Sequence, residues 1–134
     1  TIDILGEHST TPYNAQIVTM QYINLYKAIQ KRKLDCNISI KPTHLGLDMG
    51  MKCVLDNILS LLKVAEDTNN FLRIDMESSA VTDDTIALYH KSKENYSDVG
   101  TEVQVGKLDG HQKRIKAKIV PFPFYDPTKS RVKA

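Results

Sequence analysis

Little in this sequence is in excess, and several features are missing. It has two cysteines, Cys36 and Cys53, neither in a C-x-x-C pair, and its four histidines (His8, His44, His90, His111) are scattered. That argues against a zinc site, whose ligands come in short paired spacings. Two free thiols in a reducing compartment is the plain reading, though a disulfide is also compatible with the sequence. No apolar run approaches the roughly 18 residues of a membrane-spanning helix. No signal-peptide pattern opens the chain, so a soluble protein is expected. Charge of one sign is lacking too, since 18 Lys and Arg stand against 16 Asp and Glu, a net +2. With the signs interspersed, neither nucleic acid nor a membrane surface is an expected partner. The chain opens on Thr1 rather than Met, which suggests a fragment or a trimmed precursor.

What is present is a repeated unit. Asn37-Ile38-Ser39-Ile40-Lys41 and Phe71-Leu72-Arg73-Ile74-Asp75-Met76-Glu77 each begin as a strand-like run and end in a polar loop. A helical pattern separates them, at the spacing of a strand–helix–strand unit. Within the first run Ile38 and Ile40 share a face, opposite Asn37, Ser39 and Lys41. Within the second, Leu72, Ile74 and Met76 oppose Phe71, Arg73 and Asp75. Parallel strands buried on both faces read as continuous apolar runs. Here one face is polar and ends in an ionisable group near the strand tip, where parallel α/β folds gather ligands. An edge strand with one solvated face would show the same alternation.

In chain order, Ile2–Leu5 reads as a short strand and 6–14 as a loop. Val18, Tyr22, Leu25, Tyr26 and Ile29 then fall at helical spacing over 15–31. The basic cluster Lys31-Arg32-Lys33 closes that helix and suits its negative end. A second helix is predicted over 51–68, with Val54, Leu55, Ile58, Leu61, Leu62 and Ala65 as a broad apolar stripe. A third is predicted over 83–95, with Thr82 as N-cap. This is β-α-β-α-β-α, the start of a (β/α) barrel. From Val99 the pattern changes to a strand, an Asp109-Gly110 hairpin signal, an alternating basic strand over 114–120 and a Pro-rich end. The fold class expected is therefore α/β: a partial (β/α) barrel segment of three to four strands, residues 1–100, followed by a β-hairpin tail, residues 101–134.

The words themselves resemble a family. Lys41-Pro42-Thr43-His44-Leu45-Gly46, with Arg73-Ile74-Asp75-Met76-Glu77-Ser78-Ser79 downstream, is similar to the proline dehydrogenases. These carry a Lys-Leu-Thr-x-Leu-Gly strand end followed by a strand ending in Val/Ile-Asp-Met-Glu. The likeness runs over about residues 2–100, with Leu5-Gly6-Glu7 at the front, and Pro42 departs from the usual Leu. The tail from Val99-Gly100-Thr101 to Pro121-Phe122-Pro123-Phe124-Tyr125 resembles the C-terminal β-domain of the aminomethyltransferases. If both hold, the chain is composite, by natural fusion, mis-joining or design.

The first resemblance implies an oxidoreductase that passes a hydride from L-proline, or a close analogue, to FAD, with a quinone or other acceptor downstream. It implies a cytoplasmic protein, or a mitochondrial one. It casts Lys41 as the cation near the flavin carbonyl edge and the substrate carboxylate. It casts Asp75 as the carboxylate that orients substrate-holding arginines, and Gln104 as a flavin contact. The ordinary alternatives are a snorkelling surface lysine for Lys41 and a turn-capping aspartate for Asp75. His44 is a structural histidine in a loop before it is an acid or base. After Gln104 the family's arginine is missing, and Lys107 stands near its place. A full eight-stranded barrel takes about 250 residues, so independent activity is not expected. A folate-linked one-carbon module and a non-enzymatic α/β piece remain the rival functions.

Overall fold

The structure, a computed structural model, describes residues 1–101 of the 134-residue chain. Three parallel strands, β1 (Ile38–Ile40), β2 (Leu72–Ile74) and β3 (Val99–Thr101), lie in the order β1-β2-β3. Helix α1 (Pro12–Arg32) precedes β1, while α2 (Met51–Asp67) joins β1 to β2 and α3 (Thr82–Asn95) joins β2 to β3. The predicted first strand contributes a single parallel bridge, Ile2 to Ile38. The Ile2 N–H donates to the Asn37 carbonyl at 2.8 Å, and Ile2 accepts from Ser39 N–H at 3.0 Å. The architecture is the expected α/β, a partial (β/α) barrel segment. Among the described residues no helix is long and apolar enough to cross a membrane.

Each helix follows from its sequence. Thr11 caps α1, its hydroxyl accepting from Asn14 N–H at 3.1 Å, and Pro12 sits where the missing N–H costs nothing. The helix thus begins three residues before the predicted Ala15. Ala15, Val18, Tyr22, Tyr26 and Ile29 form its buried stripe. Two tyrosines on that stripe carry hydroxyls into the interior. Tyr22 Oη accepts from Ile4 N–H at 3.1 Å, and Tyr26 Oη donates to the Phe71 carbonyl at 3.2 Å. Burial pushes both phenols above their ordinary range, so they stay neutral hydrogen-bonding groups. In α2 the predicted stripe is buried at Val54, Ile58, Leu61, Leu62 and Ala65.

One capping expectation is corrected. Thr82 is the first residue of α3, not its cap, because a short 3-10 turn over Ser79–Val81 runs straight into the helix. The Thr82 hydroxyl donates back to the Ser78 carbonyl at 3.3 Å instead.

The register places the two sides of the sheet. Ile38 pairs with Leu72 and Ile40 with Ile74, while Leu72 pairs with Val99. These apolar side chains join the core under α1, α2 and α3. Ser39 pairs with Arg73, and Arg73 with Gly100, on the opposite side. Gly100 has to be glycine there, because a Cβ would stand 2.6 Å from Cζ of the buried Phe71 ring. β2 is shorter than predicted. The strand ends at Ile74 with one last ladder bond from Asp75 N–H, so Met76 leaves the alternation and lines a surface cleft instead of the core.

Candidate functional site

The loops after β1 and β2 and the loop before α1 meet at the C-terminal edge of the sheet. There they enclose a cleft of about 310 Å³ lined by Glu7, His8, Lys41, Thr43, Met76, Glu77, Ser78 and Val81. A larger depression of about 440 Å³, lined by Asp35, Asn37, Asn69, Asn70 and Asp98 among others, lies at the other end of the strands. The strand directions favour the smaller one. In parallel sheets the carboxyl ends of the strands bind ligands, because the loops there are free to vary while the sheet is held.

Lys41 is the first residue past β1, and Asp75 the first past β2. Because the side chains alternate, both continue the helix-free face begun by Ser39 and Arg73. Lys41 Nζ donates to Glu7 Oε1 at 3.1 Å, and its amine is held above its ordinary range by that hydrogen bond, against a downward pull from burial. Glu7 is largely exposed, so the pair is worth under about 1 kcal/mol and can be exchanged for a ligand anion at little cost.

Asp75 sits in a tighter set. Arg73 Nε donates to Asp75 Oδ1 at 2.8 Å, and Arg73 Nη2 to Ser39 Oγ at 3.3 Å. Ser39 Oγ in turn donates to Asp75 Oδ2. The Asp75 N–H continues the β1–β2 ladder by donating to the Ile40 carbonyl at 2.9 Å. Arg73 and Asp75 are only 21% and 19% exposed, so their ion pair is better shielded than the one at Lys41. Asp75 therefore organises one arginine. The arginine is Arg73 from its own strand, two residues away, and Gln104 lies outside the described residues.

Two histidines flank the cleft in contrasting ways. His8, in a left-handed conformation (φ +51°), meets Asp48 Oδ2 with its Nδ1 at 2.7 Å. That hydrogen bond, followed by the Asp48 charge, holds His8 above its ordinary 6.5. His44 is buried against Gly6, whose φ of +146° and missing Cβ allow the ring to approach; a Cβ there would stand 2.6 Å from His44 Cε1 and Nε2. Its Nδ1 has no hydrogen-bond partner among the described residues. Burial, and next the Lys41 charge, keep His44 below 6.5, which suits a neutral structural histidine and not a cationic catalyst.

The two shifts act on stability in opposite senses. The raised His8 stabilises the fold fully below pH 6.5 and loses that contribution as pH climbs through its raised value. The lowered His44 contributes above 6.5 and loses its share as pH falls through its lowered value. Asp48→Asn isolates the first. We expect its melting temperature to lie below the parent's under pH 6.5 and to merge with it as pH rises through the raised His8 value, the effect being small for so exposed a pair. Parallel melting curves for the two proteins across that range would refute the pairing.

Several site residues were not assigned from sequence. Ser39 and Arg73 could have been, since both fall two residues before a named site residue and so share its face. Glu7 and Thr43 had only their place in the motifs. His8 with Asp48 carries no local signal, being brought together across 40 residues.

Comparison with known proteins bears on this arrangement. No family model matches the chain. Proline dehydrogenase 1 of Bacillus subtilis subsp. natto is 31% identical over 104 residues, 78% of this chain and 34% of the relative. The chain thus spans about a third of the length of the curated relatives it matches in this way. A solved structure of proline utilization A from Bdellovibrio bacteriovorus, inactivated by N-propargylglycine, superposes with a TM-score of 0.64 at 22% identity. That match covers 75% of this chain and 14% of the larger one, and it speaks for the fold. A trimethylamine-oxide aldolase of Ruegeria pomeroyi is 64% identical over 36 residues, 27% of this chain but 5% of the aldolase. So small a share carries no activity across. The resemblance of the tail to aminomethyltransferases rests on residues almost wholly outside the described ones, and none of these matches supports it.

Proposed function

The stretch matched to the dehydrogenases is a proline dehydrogenase-like segment covering 78% of this chain, and from it we propose that the chain supplies part of a flavin site for oxidising L-proline to pyrroline-5-carboxylate. The observation that carries this reading is the placement of Lys41 and Asp75. They follow neighbouring parallel strands directly and lie on the sheet face away from the helices, at its carboxyl edge, with Lys41 lining the cleft.

The residues present fit FAD. A flavin presents an electron-rich carbonyl edge, and Lys41 offers an ammonium whose one described partner is a surface carboxylate. The chemistry FAD supplies when bound is acceptance of the hydride from the ring carbon next to nitrogen. The protein groups bind and orient. Lys41 holds negative charge at the cleft, whether on the cofactor edge or on the substrate carboxylate, and Glu7 releases it when such an anion arrives. Asp75 holds Arg73 by accepting from its Nε, with Ser39 bridging the two, so that charge at the strand tips has one geometry. His44 stays neutral and packs Gly6, which sets where Glu7 begins. The proposal extends to Gln104 as a further flavin contact, to a quinone or other acceptor, and to a cytoplasmic setting.

The test is an absorbance spectrum of the purified 134-residue chain with and without added FAD, over about 350–500 nm where bound flavin absorbs. The expected result is a bound-flavin spectrum, and bleaching on addition of proline would extend it to turnover. A chain that stays colourless with excess FAD while melting cooperatively would sink the reading.

A further inference from the structure

We propose that Glu77 is a positioning residue of this cleft, locking the loop after β1 to the loop after β2 through Thr43 and thereby setting where Lys41 stands. The inference rests on the functional reading above for its purpose, but its geometry is independent of any ligand.

Glu77 lies two residues past Asp75 and reaches back across 34 residues of chain. Its carboxylate takes Thr43 at both ends. The Thr43 N–H donates to Oε2 at 3.0 Å, and Thr43 Oγ1 donates to Oε1 at 2.5 Å. Hydrogen bonds to an ionised acceptor are about twice as strong as neutral ones, and two on one carboxylate also fix its direction.

Thr43 is a junction as well as a partner. It is 1% exposed. Its carbonyl accepts from Ser9 N–H at 3.1 Å and from Gly46 N–H at 3.3 Å, and Ser9 Oγ donates to the next carbonyl, that of His44, at 2.6 Å. Three loops therefore converge on one buried residue. They are the loop before α1, which carries Glu7 and His8, the loop after β1, and the loop after β2. Between Thr43 and Lys41 stands only Pro42, whose ring fixes its own φ. The Lys41 carbonyl is pinned from the same turn by His44 N–H at 3.1 Å. A displacement of Thr43 thus passes directly to Lys41, and through Ser9 to the segment that carries Glu7.

Loss of Glu77 would leave the buried Thr43 N–H without its acceptor, an unfavourable state the loop relieves by moving. The first thing to loosen is the Lys41–Glu7 contact, which spans two of the tied loops.

The experiment compares Glu77→Ala, Glu77→Gln, Thr43→Val and Thr43→Ser in the full chain. Two readouts are taken. The first is the acetylation rate of Lys41 relative to the exposed Lys91, followed by peptide mass spectrometry at mildly alkaline pH. Freed from Glu7, whose hydrogen bond keeps the amine protonated, Lys41 should react about three- to tenfold faster in Thr43→Val, and at least as fast in Glu77→Ala, which also removes the Glu77 charge acting on it. Thr43→Ser should recover most of the protection lost in Thr43→Val, and Glu77→Gln should fall between. The second readout is FAD affinity, which should weaken in the same order.

Unchanged Lys41 reactivity in folded Glu77→Ala, or equal behaviour of Thr43→Ser and Thr43→Val, would overturn the positioning role. If Glu77→Ala does not fold, Thr43→Val carries the test, since it keeps shape and backbone contact and removes only the hydroxyl. If the parent chain binds no FAD, the flavin reading fails while the Lys41 rates still decide the positioning role.

Discussion

Replacing Leu72 by alanine is expected to cost the fold about 2–5 kcal/mol, the range for a large-to-small change at a filled core site. Leu72 is fully buried in β2, the middle strand, with β1 on one side and β3 on the other. Its side chain packs in the cluster shared with Tyr26, Ile58, Leu61 and Leu88, so no loop can collapse into the space it leaves. A small domain has only about 5–15 kcal/mol of stability in all, and the substitution therefore removes a large fraction of it. Urea unfolding followed by circular dichroism measures this directly. The midpoint should fall with little change in slope, because the same surface is exposed on unfolding. A loss under about 1 kcal/mol would mean that the sheet is not the centre of the core.

Lys41→Ala is expected to do the reverse, sparing the fold and removing ligand affinity. Lys41 keeps one ion pair, to exposed Glu7, and the loss of such a pair changes stability by under about 1 kcal/mol. A charge-assisted hydrogen bond to a bound anion is worth about 1.5–3 kcal/mol, so FAD or a proline-analogue carboxylate should bind roughly 10- to 150-fold more weakly. The two measurements are a thermal melt and an absorbance titration with FAD, each on the parent and the variant. Affinity within about twofold of the parent would remove Lys41 from the site. A collapse of the melting temperature would mean that the residue is structural and that the cleft has been misread.

Much of this organisation is legible from the chain because it depends on periodicity. The stripes of α1 and α2 recur at helical spacing, and Tyr22, Tyr26, Ile58 and Leu61 are buried where that spacing puts them. The strands alternate with period two, so Ser39 with Lys41, and Arg73 with Asp75, are bound to share a face once the pairing register is set. The same rule puts Lys41 and Asp75 at matching heights, one residue past Ile40 and Ile74. What periodicity cannot reach is where a strand stops or a cap forms. β2 ends at Ile74 and Thr82 enters the helix, because each depends on a particular hydrogen bond and not on a repeat.

The amino-acid sequence by itself determined the helices, the alternation of the strands, the polar face and the two charged residues at its tips. Each is set by the spacing of apolar side chains along a continuous segment. Only the tertiary structure decided the partners: Glu7 for Lys41, Arg73 and Ser39 for Asp75, Asp48 for His8, and Glu77 for Thr43. Apart from Arg73 with Asp75, these pairs join segments some 34 to 40 residues apart, at the ends of loops whose paths follow from backbone hydrogen bonds and from the close seat of His44 on Gly6. Loops carry no repeating pattern, so the contacts they make exist only after the sheet and helices have brought their ends together.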